Sequence, residues 1–332
     1  MGGFGNEPAE ASGPYILLDF GLGDFGLGDF GAGAFGGARL ERWGDAVLVR
    51  PDGRATGPRA LPAEAWNRAD AVFEGRLGGS GVGGGRWLPG RLRSGGPPLP
   101  DRWPIEHAGL RFSVGCAPSG HTGLFPEQAA HWAWMADTLR RTAPASADGP
   151  PESTGPEILN LFAYTGGASV ALAKAGARVT HVDASRPTIG WARENAALNG
   201  VTTIRWIHED ARRFVDREAR RGRRYDGLLL DPPAFGRGPA GDWQLDRDLG
   251  GLLEAAVALL RPDPAFVVVN VYSGSAVAAS IEGLLGWALD GREDAAAFTT
   301  EGGTLWLPAA DGRELATGVY ARATSRRRAG LG

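Results

Sequence analysis

The sequence predicts an α/β protein: a doubly wound, mostly parallel sheet with a small β-rich region before it. Three observations carry that expectation. From residue 157 onward, short apolar runs alternate with amphipathic ones, the pattern of βαβ units with helices on both faces of a sheet. Glycines or acidic residues stand immediately after the first four apolar runs, and ligands of such sheets bind outside the carboxyl ends of the strands. Before residue 121 the helical pattern is nearly absent, and Gly and Pro punctuate isolated strand-like runs.

The elements follow in order. "YILLDF" and "ARLERWGDAVLVRP" read as strands. Between residues 51 and 104 the chain is rich in Pro, Gly and Arg. Loops are expected there, with a short helix around "PAEAWNRADAVFE" and little regular structure near "RLGGSGVGGGRW". "GLRFSVG" is a further strand. "FPEQAAHWAWMADTLRRT" is the first good helix, with Pro126 in its first turn and Arg140 and Arg141 at its end. "EILNLFA", "ARVTHVDA", "TTIRWIHED", "YDGLLLDPP" and "AFVVVNVYS" are then strands. The segments between and after them are helices, two of them closed by Gly176 and Gly200. "LATGVYARATSRRR" reads as a last strand running into basic residues. The expected partition is a frayed tail at 1–13, a β-rich region at 14–120, and a connecting helix and linker at 121–156. The α/β domain follows at 157–325 and a basic tail at 326–332.

Composition narrows the function classes. The chain has 332 residues, 43% hydrophobic and 22% charged, with a formal net charge of -3. That is a globular composition without the global basic field of many nucleic-acid binders. Its single cysteine, Cys116, excludes an internal disulfide and a cysteine-based zinc site. No metal is expected. No segment approaches the roughly 20 apolar residues of a membrane span, and the start lacks a basic-then-apolar run. A cytoplasmic enzyme is the expectation.

One feature near the start invites a functional reading. "GLGDF" occurs twice in tandem at 21–30, and "GAGAF" follows. Leu22, Phe25, Leu27 and Phe30 are spaced three, two and three apart, with Phe35 five further on, which suits neither helix nor strand. No Lys or Ser/Thr follows to hold a phosphate. The repeat is expected to be an expanded hairpin turn, with a Phe-bearing finger that stacks on nucleic acid as the alternative.

The residues that carry chemistry lie at the strand ends. In "NLFAYTGGASV", Gly166 and Gly167 let the backbone turn sharply beside a ligand. Neither the GxGxxG fingerprint nor a P-loop is present. Asp183 ends the second strand, where a carboxylate accepts hydrogen bonds from ribose hydroxyls. Asp210 ends the third, where a carboxylate can accept from an adenine amino group. The fourth ends "LDPPAF": a carboxylate, a stiff turn and an aromatic ring. Proline removes donors, so nearby carbonyls stay open. Asp231 and the Pro232 carbonyl suit an amine or ring N–H. Phe235 suits stacking on a flat base, worth about 1–3 kcal/mol.

This order resembles the class I S-adenosylmethionine-dependent methyltransferases, with a Rossmann-like sheet. The blocks "HTGLFPEQAAHWAWM", "NLFAYTGGASVALAKAGARVTHVDASRPTIGWARENAALNG" and "RRYDGLLLDPPAFGRG" further resemble a bacterial group among the large-subunit ribosomal RNA base methyltransferases. The resemblance implies S-adenosyl-L-methionine as cofactor. It implies that Phe162, Tyr164, Thr165, Gly166, Gly167, Asp183, Ser185 and Asp210 bind it. Asp231, Pro232, Pro233 and Phe235 are implied to face the substrate as the catalytic set. The implied partner is RNA, with a small molecule or a protein as alternative substrate. A module of another class, binding RNA without turnover, is the remaining rival.

One departure from that superfamily is informative. The branch that methylates cytosine carbon needs a cysteine nucleophile after the fifth strand. Here that strand reads "VVVNVYSGS", with Asn270 and Ser273 but no cysteine. Nitrogen methylation is therefore expected, since it mainly requires alignment and exclusion of water.

Each residue taken singly has a plainer use. Gly166 and Gly167 suit any tight turn, and Asp183 or Asp210 suits a helix N-cap. His121 reads as a loop residue. Gln128 is equally compatible with a site role and with helix packing. The run "ARRFVDREARRGRR" reads as a solvated face, because acids are interleaved.

Overall fold

A computed structural model describes residues 12–22, 36–75, 85–89, 98–142, 155–236, 241–272 and 277–325. The chain divides into two compact units. The first comprises Met1–Gly78, Gly83–Pro126 and Pro308–Leu315; the second Gly79–Val82, Glu127–Leu307 and Ala316–Gly332.

The first unit is built on β1 (Ser12–Leu22), β2 (Gly37–Trp43), β3 (Ala46–Pro51), a short helix α1 (Ala63–Asn67), β4 (Ala71–Glu74), β5 (Arg86–Pro89), β6 (Trp103–His107) and β7 (Leu110–Val114). The strands form one seven-stranded sheet in the order β5-β4-β3-β2-β1-β6-β7. β1 starts at Ser12, inside the stretch expected to fray. It pairs antiparallel with β2 up to Leu22 opposite Gly37, and the register shifts between Leu17 and Asp19. The two strands flanking the GLGDF repeat are thus neighbours. The repeat from Gly23 to Phe35, and so the expected turn or finger, lies outside the described residues.

Two sequence expectations fail in this unit. The helix around "PAEAWNRADAVFE" stops at Asn67, and "AVFE" is strand β4. The Asp70 carboxylate accepts the Val47 N–H at 2.8 Å. The Asp70 N–H in turn reaches the Val47 carbonyl at 2.7 Å. This exchange draws the chain alongside β3, and tertiary pairing overrides local propensity. "RWLP", expected as loop, is strand β5, and "WPIEH", which starts at the end of that loop stretch, is strand β6.

Asp19 is the polar hub of the first unit. Fully buried, it accepts from the backbone N–H groups of Phe20 at 2.8 Å, Ala60 at 3.1 Å and Leu61 at 2.9 Å. It also accepts from the Trp66 indole at 3.0 Å and from the Arg313 guanidinium. Arg313 belongs to the late segment Pro308–Leu315, whose Ala310 N–H donates to the Leu17 carbonyl at 2.8 Å.

The second unit holds α2 (Ala129–Thr142), β8 (Glu157–Leu161), α3 (Gly167–Lys174), β9 (Arg178–Asp183), α4 (Arg186–Leu198), β10 (Arg205–His208), α5 (Ala211–Arg220) and β11 (Gly227–Leu230). A two-stranded ribbon follows, β12 (Phe235–Gly236) with β13 (Trp243–Gln244). The rest is α6 (Leu245–Val257), β14 (Phe266–Val271), α7 (Ala278–Asp290), β15 (Phe298–Pro308) and β16 (Glu314–Ser325). Its seven-stranded sheet runs β10-β9-β8-β11-β14-β16-β15. β8 to β11 and β14 are mutually parallel, whereas β16 runs antiparallel to β14. β8, β11 and β14 are buried almost throughout, as strands covered on both faces must be. Phe214, Leu253, Phe266 and Leu285 are core residues on its strands and helices, and Tyr225, just before β11, joins them. This is the Rossmann-like, doubly wound α/β architecture expected from the sequence.

β15 was not foreseen. Its "EGG" breaks the alternation that marks a strand. The glycines have a packing reason. A Cβ at Gly302 would sit 2.9 Å from the Ala278 carbonyl oxygen, and one at Gly303 would sit 2.6 Å from the Tyr320 hydroxyl. Helix α7 and strand β16 approach there too closely for any side chain.

Candidate active site

Parallel strands bring their carboxyl ends to one edge. The strand order reverses between β8 and β11, the switch point at which such sheets bind ligands. Register fixes the neighbours: Leu230 pairs with Leu161 on one side and with Val269 on the other. Phe162, Asp231 and Asn270 therefore follow at the same level. Asp183 lies one strand away on β9, opposite His208 of β10, and Asp210 follows His208.

The turn after β8 is unusual backbone. Phe162 and Tyr164 adopt φ of 55° and 51°, and Gly166 adopts 84°. Left-handed conformations at non-glycine residues are costly and persist only where neighbours enforce them. Asp183 is the enforcer: its Oδ2 accepts the Tyr164 N–H at 2.9 Å, and its Oδ1 accepts the Ser185 N–H at 2.8 Å. Burial pushes the Asp183 carboxyl above its usual range, against these two bonds. Ser185 caps α4 by accepting the Thr188 N–H at 3.4 Å. Asn195 donates to the Thr165 carbonyl at 2.8 Å, tying the turn to α4. Gly166 precedes α3, whose first turn has no side-chain cap.

Asp210 shows the plainer use foreseen for it. It caps α5, accepting the Arg212 and Arg213 N–H groups at 2.9 and 3.4 Å, and it also meets the Arg212 guanidinium. A carboxylate offers about four acceptor directions, so capping and ligand contact are compatible.

The segment after β11 is the most elaborate. The Asp231 N–H donates to the Leu161 carbonyl at 3.3 Å. Asp231 Oδ2 accepts the Gln128 side-chain N–H at 2.6 Å, while Oδ1 accepts nothing among the described residues. Asp231 is half-exposed by surface area, yet its carboxyl is densely surrounded by protein. Desolvation pushes it up to about 7; the Gln128 bond works against the rise and the Glu127 charge adds to it. Pro232 is buried. The Pro233 carbonyl is taken by the Trp243 indole at 2.7 Å; the Pro232 carbonyl has no partner among the described residues. Phe235 stands 53% exposed on β12, an uncommon place for a large apolar ring at a binding edge. Trp243 backs the site, its ring 5.1 Å from that of Phe162.

The sequence-expected residues lie at or just after the carboxyl ends of β8, β9, β10 and β11, with Phe235 on the separate ribbon that follows β11. Sequence reasoning left Gln128 undecided and overlooked Tyr272 and His131. Gln128 ends a 3-10 turn at Pro126–Gln128 rather than lying inside the helix. Its amide also donates to the Tyr272 hydroxyl at 3.0 Å. His131 bonds Asn270 at 3.1 Å.

A family model described as S-adenosylmethionine-dependent methyltransferase matches residues 90–274. The chain belongs to that family. A solved methyltransferase from Agrobacterium tumefaciens, titled S-adenosylmethionine-dependent, is 36% identical, with a TM-score of 0.77 over 95% of this chain and 91% of that one. A methyltransferase of Streptococcus mutans shares the fold at 16% identity and a TM-score of 0.65, covering 93% of this chain and 76% of that one. Among curated relatives, the ribosomal RNA large subunit methyltransferase K/L of Allochromatium vinosum is 34% identical over 171 residues, and that of Shewanella loihica 40% over 116. Those matches take in 50% and 33% of this chain, but only 21% and 16% of the relatives' own lengths. The methyltransferase thus spans about a fifth of the curated relatives, and its methyl donor is S-adenosyl-L-methionine. Among the described residues no helix is long and apolar enough to cross a membrane.

Proposed function

We propose that this methyltransferase methylates a nitrogen on a base of large-subunit ribosomal RNA in the cytoplasm. The observation that carries the reading is the Asp231–Phe235 segment at the switch point. It joins an acceptor oxygen, a carbonyl without a partner among the described residues and an exposed aromatic ring.

The donor side fits its cofactor. Asp183 keeps about two acceptor directions beyond its backbone bonds, enough for ribose hydroxyls. Asp210 serves the adenine in the same way. The uncapped first turn of α3, reached over Phe162, Tyr164, Thr165, Gly166 and Gly167, suits a carboxylate. Ser185 holds the Asp183 turn. S-adenosylmethionine supplies a methyl group already activated on a sulfonium. On the substrate side, Asp231 Oδ1 and the Pro232 carbonyl accept the N–H groups of the nucleophile and aim its lone pair. Pro233 stiffens the turn, and Phe235 stacks on the base. As the carbon–nitrogen bond forms, the carbon–sulfur bond breaks and its electron pair stays on sulfur. The proton released from nitrogen passes to Asp231, whose value near 7 suits both states at working pH.

Carbon methylation through Cys116 is disfavoured. Burial pushes its thiol up to about 12, with Arg50 pulling weakly the other way, so it is not a thiolate at neutral pH. Cys116→Ser is expected to retain the parent methylation rate, measured by initial rates on the true substrate. A loss of more than tenfold would restore the cysteine as a nucleophile.

The net charge of -3 favours one second reading, a small-molecule or protein substrate. Transfer of labelled methyl from S-adenosylmethionine separates the two. Large-subunit RNA from a strain lacking the gene would be offered free and as intact subunits, then digested to nucleosides. A labelled N-methyl nucleoside is the expected result. No incorporation, with donor binding confirmed, would turn attention to small molecules and proteins.

A further inference from the structure

The segment entering α2 makes two long-range contacts at the site edge. Gln128 reaches Asp231 over 103 residues and Tyr272 over 144. Three residues on, His131 reaches Asn270, the neighbour of Asp231 on the next strand. Gln128 is buried, so these bonds replace water rather than compete with it. Its amide nitrogen has two hydrogens, and the two acceptors use both. With Asp231 ionised this orientation of the amide is the matched one, because a reversed group would set its oxygen against the carboxylate.

We infer that Gln128 is a positioning residue for methyl transfer: by holding Oδ2 of Asp231 and the Tyr272 hydroxyl together, it keeps Asp231 an acceptor and leaves Oδ1 for the substrate N–H. The inference rests on the reading of Asp231 given above. It also explains the acid at this position. An asparagine would have to turn its oxygen to Gln128 and its NH2 to the substrate, setting donor against donor.

Three other groups face this pair. Glu127 adds a like charge that raises Asp231. Tyr272 shares the Gln128 amide. His131 is neutral at working pH, lowered to about 4 by burial, with the Arg322 charge adding to that effect and the Asn270 bond opposing it. It therefore contributes no titration near 7.

The test needs no substrate, so its failure is distinguishable from failure of the proposed function. The carboxyl of Asp231 is followed by carbon-13 NMR in the full chain, with aspartate labelled and the signal assigned by its loss in Asp231→Ala. A midpoint near 7 stands apart from ordinary aspartates near about 3.9. Removing a donor from a carboxylate raises its pKa, so Gln128→Leu should move the midpoint up by about one pH unit. Gln128→Asn carries the same amide one methylene short of Asp231 and should do the same, which keeps the test open if the leucine variant misfolds. A residue that merely packs α2 would lower thermal stability and leave the midpoint alone. An unchanged midpoint in a folded variant of either kind overturns the inference.

Discussion

Asp231→Ala should lower the methylation rate by about a hundred- to ten-thousandfold, the usual range for a lost proton acceptor. Affinity for S-adenosylmethionine, read by calorimetry, should hardly change, because Asp183 and Asp210, the carboxylates proposed to hold the donor, are untouched. A parallel loss of donor affinity would move Asp231 to the donor side and sink the assignment. The parent rate should rise with pH through about 7, as the carboxyl ionises. Stability should move the other way. The folded value of about 7 lies above the ordinary value near 3.9. The folded state thus prefers the protonated form, and that contribution is complete below about pH 4 and lost as pH rises through 7. Asp231→Asn carries no charge. It should melt higher than the parent at pH 8.5 and alongside it at pH 4. Activity and stability are opposed at this one residue, as at many strained sites.

The second large effect belongs to Asp19. Asp19→Ala strips a fully buried carboxylate from three backbone N–H groups, an indole and a guanidinium. Breaking a buried pair and orphaning its donors costs about 3–5 kcal/mol. For a protein of 332 residues that lowers the melting temperature by roughly 4–7 °C. Arg313→Ala should cost less, since its side chain is about one-third exposed and the four uncharged donors remain. Thermal melts of the two variants check the order; equal losses would make Arg313 the organising group instead.

The second unit was legible because its rules are local. Apolar runs such as "EILNL" and "FVVVNV" can only be buried strands when helices alternate with them, and Gly176 and Gly200 close α3 and α4 at φ of 91° and 65°. The site was legible for a related reason. Topology gathers strand ends at one edge, so residues at strand ends can be listed before any coordinate is known. Gln128 was not legible. Its partners lie more than a hundred residues away, and nothing in "FPEQAAH" announces them. The first unit was harder still. β4 and β5 are four residues each, too short for a periodic signal. β15 carries two glycines that make room for other elements, the Ala278 carbonyl of α7 and the Tyr320 ring of β16.

The late segment around Arg313 has a consequence for biosynthesis. Its partner Asp19 precedes it by 294 residues. At about 5–20 residues per second, the ribosome delivers Arg313 roughly 15 to 60 s after Asp19. Through that interval the nascent first unit holds a carboxylate without its cation and a β1 carbonyl, that of Leu17, without its late donor. β1 is therefore completed only once the late segment has been made. A stop codon only slightly upstream of Pro308 would leave the first unit without Arg313 and Ala310, and so without the partners they give to Asp19 and to the Leu17 carbonyl.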